Sequence, residues 1–163
     1  MKLKTLIAAV LMPVILLAGC NSDKQTDENT SAANVPPTEI VNAVLAEIPI
    51  TSGLEKGKED IPDFYSDIDV SQVESASFAI CASGAYPDEI AVMKCTDSSA
   101  AAAVKSALEK RLEGQSELYS TYTPDEMYKL ETAKVYTAGN YAIFLAVSDN
   151  DKAKEIVDGK LAV

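Results

Sequence analysis

The apolar positions along the chain fall into three regimes. Thr5 to Leu17 is a continuous apolar stretch of thirteen residues. Asn21 to Pro37 is almost free of apolar side chains, with only Ala32, Ala33 and Val35 and no aromatic. From Thr38 onward apolar and polar positions alternate with short, regular periods. Ile40, Val41, Val44, Leu45 and Ile48 recur at helical spacing, with Thr38 a plausible N-cap, Glu39 in the first turn and Pro49 a stop. Thr51 to Lys58 carries two glycines and reads as a loop, and Ile61 to Tyr65 as one helical turn.

Val73 to Ala82 and Glu89 to Thr96 read as strands, with Ala76, Phe78, Ile80 and Ala82 on one side of the first. In the second, Ile90 and Val92 alternate with Ala91 and Met93. Ser83 to Asp88 between them is dense in turn formers, which predicts an antiparallel hairpin. A long helix is predicted from a cap at Ser98 or Ser99 to about Tyr122, because Ala101, Val104, Leu108, Leu112, Gln115, Tyr119 and Tyr122 keep a 3–4 spacing. A short helix follows over Pro124 to Leu130. Lys134 to Ala138 and Tyr141 to Ser148 form a second hairpin over Gly139-Asn140. Asn150 to Asp158 is a closing helix ended by Gly159. The expected order is α-β-β-α-β-β-α. This is an α+β fold, with four mostly antiparallel strands from two hairpins and helices packed on one face.

The start of the chain changes what this domain is expected to be. Lys2 and Lys4 precede an apolar stretch that is too short to span a bilayer and contains Pro13. It ends in Leu17-Ala18-Gly19-Cys20, which resembles the lipobox of bacterial lipoproteins. That resemblance implies a cleaved signal peptide over residues 1–19 and a diacylglyceryl group on Cys20. It also implies a protein held on the extracytoplasmic face of a cell membrane through covalent lipid. Several acyl chains give a stable anchor where one does not. Cys20 and residues up to Pro37 then read as a flexible tether with a mean reach of roughly 20–25 Å. Residues 38–163 form the single folded domain, long enough for one core but too short for a bilobal solute-binding protein.

Charge and composition narrow the function. The chain carries 14 Lys plus Arg against 25 Asp plus Glu, for a net charge of −11. Residues 38–163 hold eleven basic and twenty-two acidic residues, so the acidity belongs to the domain. An acidic domain without a basic block does not suit nucleic acid. The absence of His removes Ser-His-Asp and Cys-His catalysis and every His-ligated metal or haem site.

The segments GAYPDEIAVMK (Gly84–Lys94), ALEKRLEGQ (Ala107–Gln115) and GNYAIFLAVSD (Gly139–Asp149) resemble the bacterial family catalogued as domain of unknown function 4358. The resemblance spans about Phe64 to Ile156. It implies a small lipoprotein, in agreement with the lipobox, and implies no activity.

Candidate chemistry is sparse, and no cofactor is expected. Cys81 and Cys95 are expected to stay unpaired, because hairpin register sets Cys95 near Ser75, about 20 Å along the ladder from Cys81. Asp67-Ile68-Asp69-Val70-Ser71 opens like a calcium loop, but Gln72 and Phe78 stand where Gly and Glu are needed, so no metal site is assigned. Acid pairs are inevitable among twenty-two carboxylates and place no cleft. Ser106 and Lys110 share a helix face but sit mid-helix. Arg111 and Gln115, one turn apart on the long helix, have two readings. They either brace helix to hairpin through a carboxylate such as Glu89, or face a small ligand with Tyr119 and Tyr122 as an aromatic wall. The expected function is a lipid-anchored module that binds a small ligand or an envelope protein. A surface hydrolase using carboxylates or a bound cation, or a structural envelope lipoprotein, is the alternative.

Overall fold

The computed structural model describes residues 33–163. The leader, Cys20 and most of the tether lie outside the described residues. The elements are α1 (Pro37–Glu47), β1 (Gly53–Gly57), α2 (Ile61–Phe64), β2 (Val73–Cys81), β3 (Glu89–Cys95), α3 (Ser98–Tyr122), α4 (Met127–Glu131), β4 (Lys134–Ala138), β5 (Tyr141–Ala146) and α5 (Asn150–Leu161). The class is α+β. The strands form one antiparallel sheet in the order β1-β2-β3-β5-β4.

The sheet and its cover differ from the expected four strands with helices on one face. The sheet has five strands, because Gly53–Gly57 pairs with the end of β2 from Gly53↔Cys81 to Gly57↔Ser77. This edge strand has glycine at both ends and one half-exposed apolar residue, Leu54. It is held by backbone hydrogen bonds to β2, and its side chains show none of the alternation that marks a strand. The helices also pack on both faces, not one. The three central strands are apolar on both sides, so each face needs its own cover. Ile90, Val92, Ile143 and Leu145 lie under α1 and α5, through Ile40, Val41, Val44, Val157 and Leu161. Phe78, Ala91, Met93, Ala142 and Phe144 lie under α3 and the α2 region, through Ala101, Val104, Leu108, Ile61 and Tyr65.

Smaller differences have local causes. Asp97, one residue before the expected serines, caps α3 by accepting from Ala100 N at 2.8 Å. Pro37 opens α1 at its first turn, where its fixed φ suits the helix. Gly159 sits inside α5, which continues until Leu161 is buried and Ala162 turns to φ +57°. The packed chain begins upstream of Thr38. Ala33 N donates to Leu161 O at 2.8 Å, and the Tyr141 hydroxyl both donates to Val35 O and accepts from Val35 N.

Cys81 and Cys95 are both free and buried. A shift at the Val73/Ser75 step of the ladder sets Cys95 opposite Val73, and the two thiols lie in the cores on opposite sides of the sheet. Among the described residues no helix is long and apolar enough to cross a membrane.

Candidate functional site

Glu89 opens β3 on the face that α3 covers, and its carboxylate is 1% exposed. A buried charge needs a counter-charge and full hydrogen bonding, and three elements supply them. Tyr65, just past α2, donates its hydroxyl to Oε1 at 2.6 Å. Arg111 Nε from α3 reaches Oε1 at 2.7 Å and Oε2 at 2.9 Å. Gln115 Nε2, one turn along α3, donates to Oε2 at 2.7 Å. Arg111 Nη1 donates to Phe64 O at 2.8 Å, and its guanidinium carbon lies 4.6 Å from the Tyr65 ring centroid. One carboxylate thus ties α2, β3 and α3 together. Burial, with the Glu89 charge behind it, pushes the Tyr65 hydroxyl well above the usual tyrosine range. Burial works against the Arg111 cation, but the bonds and charge of Glu89 outweigh it and raise Arg111 further.

The neighbouring residue makes a second brace. Asp88 Oδ2 accepts from the buried Lys129 ammonium of α4 at 2.7 Å, and Glu126 lies 2.7 Å from the same nitrogen. The Lys129 nitrogen stands 5.5 Å from the Tyr86 ring centroid and 5.9 Å from that of Tyr128. Asn150 Nδ2 fixes α4 from below by donating to Lys129 O at 2.8 Å.

Of the two readings of Arg111 and Gln115, the structure has the brace to Glu89. It also leaves both residues on the wall of a cleft of about 300 Å³. Phe64 to Ile68 form the opposite wall, and Ala107, Lys110, Gly114 and Leu118 complete it. Tyr119 and Tyr122 do not line this cleft. They line an adjacent groove of about 320 Å³ with Gly84, Ala85, Leu118 and Thr123. The Tyr119 hydroxyl stands 3.1 Å from Gly84 O and 3.0 Å from Tyr86 O, where it pins the β2–β3 turn, while Tyr122 is 75% exposed. Gly84 takes φ +64° in that turn, a conformation glycine adopts at low cost.

Three participants escaped the sequence reading. Tyr65 had no signal, since its role depends on a contact with β3 across the sequence. Gly114 and Leu118 did have one, because they continue the Arg111 stripe at 3–4 spacing. Asp67 is the one carboxylate that lines these two clefts. Among the described residues no group of three or more Cys, Asp or Glu is placed to hold a metal ion.

The fold and site together define a three-layer α+β domain, in which a braced carboxylate holds a long helix over the sheet and leaves a groove along that helix. The chain belongs to the family described as Domain of unknown function (DUF4358), whose model matches residues 47–148. The match runs from the end of α1 through β5, so it includes both braces and the groove and leaves α5 outside. No curated protein and no solved structure matches the chain.

Proposed function

We propose that this protein is a lipid-anchored extracytoplasmic lipoprotein whose domain is a binding module, with the cleft beside Arg111 as its binding site. The anchoring rests on the sequence: cationic Lys2 and Lys4, a short apolar core, and Leu17-Ala18-Gly19-Cys20 in register. The binding reading rests on one observation. The cleft of about 300 Å³ is walled by polar groups that the Glu89 brace already holds in place. Preorganised polar groups bind without first losing side-chain freedom.

Two measurements test the proposal. Wild-type protein fractionates with membranes and takes up labelled fatty acid, while Cys20→Ser does neither; a membrane-bound Cys20→Ser variant refutes the anchor. For the cleft, the Cys20→Ser chain is screened by NMR against a library of small neutral and anionic fragments. Hits that shift resonances of Arg111, Gly114 and Leu118 support the site, and a screen with no hits there refutes it.

A further inference from the structure

The cleft and the adjacent groove share Leu118 and run end to end along α3. Ala107, Arg111, Gly114, Leu118 and Tyr122 recur every three or four residues, so they form one stripe. From Ala107 to Tyr122 the helix rises about 22 Å, the span of six or seven residues of extended chain at about 3.3 Å each.

The charges of the groove cancel. Arg111 is committed to Glu89, and Lys110 Nζ lies 3.9 Å from Asp67. A simple anion therefore finds no surplus positive charge. Neutral hydrogen-bonding capacity is what remains. Among the described residues Arg111 Nη2 has no hydrogen-bond partner. Gln115 gives its amide nitrogen to Glu89, and its Oε1 is buried with no partner. A free guanidinium N–H in a cleft without net charge suits a neutral carbonyl oxygen, which every peptide unit carries. The hydrocarbon of an acyl chain offers Arg111 no acceptor.

Beyond this polar pair the stripe turns apolar, with Leu118 half-exposed and Tyr122 three-quarters exposed. Gly114 lies between the two halves. A glycine inside a helix is unfavourable relative to alanine, and a Cβ added at Gly114 would meet nothing within 4 Å. The missing side chain keeps the floor of the groove open.

We propose that the α3 groove binds an extended peptide segment, uncharged where it crosses Arg111 and Gln115 and carrying an apolar side chain against Leu118 and Tyr122. The proposal rests on the binding reading above and names its ligand class.

The test begins with random peptides displayed on phage and selected on the Cys20→Ser chain. Enriched sequences are synthesised with both ends capped and titrated calorimetrically into the same chain and into its Gly114→Leu variant, whose fold is checked by thermal unfolding. The expected result is a neutral, apolar-bearing consensus whose affinity falls at least tenfold in Gly114→Leu, with no fall in melting temperature. No enrichment, a consensus rich in acidic residues, affinity indifferent to Gly114→Leu, or equal binding of decanoate would each overturn it. Fragment hits in the cleft without any peptide binding sink this inference and leave the binding reading standing. No fragment hits sink both.

Discussion

Replacing Glu89 with glutamine removes one negative charge from a carboxylate that is 1% exposed and keeps its shape. The wild-type oxygens accept from Tyr65, twice from Arg111 Nε, and from Gln115. An amide offers one oxygen and one NH2. If its oxygen takes the place of Oε1, the Tyr65 bond and one Arg111 bond survive. Its NH2 then faces Gln115, whose amide can turn over and present the Oε1 that has no partner in wild type. Hydrogen bonding to residue 89 is therefore largely repaired, though the turned Gln115 buries its NH2 without an acceptor, and the main loss is the counter-charge of Arg111. Removing one member of a buried ion pair costs about 3–5 kcal/mol. The Arg111 side chain is 25% exposed, and the Gln115 turn recovers one bond, so the expected cost is about 2–3 kcal/mol. That is a large share of the roughly 5–15 kcal/mol that holds a domain of this kind.

The assay is urea unfolding followed by circular dichroism, with Glu89→Gln, Arg111→Met and the double variant completing a cycle. Arg111→Met alone leaves a buried carboxylate without its cation, so each single change is costly. The double variant should fall short of the sum of the two by at least about 1.5 kcal/mol. A Glu89→Gln cost below about 0.5 kcal/mol, or a strictly additive cycle, would refute the role assigned to the brace.

Gly114→Ala should raise stability by about 0.5–1 kcal/mol, read as a higher urea midpoint, since its Cβ has open space. Gly84→Ala should lower it by about 1–2 kcal/mol, because φ +64° is strained for any residue with a Cβ. Stability should fall as pH rises past the ordinary tyrosine value of about 10. Burial raises Tyr65 and Tyr136, so the unfolded chain releases those protons first and alkali favours it; urea midpoints that stay flat from pH 8 to 11 would contradict this. Iodoacetamide at pH 8 should label Cys81 before Cys95, because burial pushes Cys95 up to about 11 and leaves it fully inaccessible, whereas bonds from the β2–β3 turn lower Cys81 despite its burial. Mass spectrometry of denatured, alkylated protein should count two free thiols among Cys81 and Cys95.

Most of the fold is written in local periodicity. The 3–4 spacing of α3 and the turn residues before β3 and β5 are properties of contiguous residues. What the pattern withheld depends on distant partners. The strand β1 exists because the end of β2 has open backbone groups, and Gly-Leu-Glu-Lys-Gly carries no sign of that. Cover on both faces was foreshadowed by Ile90-Ala91-Val92-Met93, which is apolar on both sides. Glu89 could be named as a partner for Arg111 because a buried arginine demands a carboxylate. Which residues share the resulting cleft could not be read, since Tyr119 and Tyr122 fall past Leu118 and line the next groove.

The groove along α3 is proposed as the surface through which this protein binds. Site-specific benzophenone crosslinking in cells decides whether it does, with the photoreactive side chain placed at Leu118 in one strain and at Leu54 on the β1 edge in another. Both positions are exposed. The expected result is a crosslinked polypeptide from position 118 that disappears in the Gly114→Leu background, and none from position 54. No product from position 118, or equal products from both positions, would contradict it.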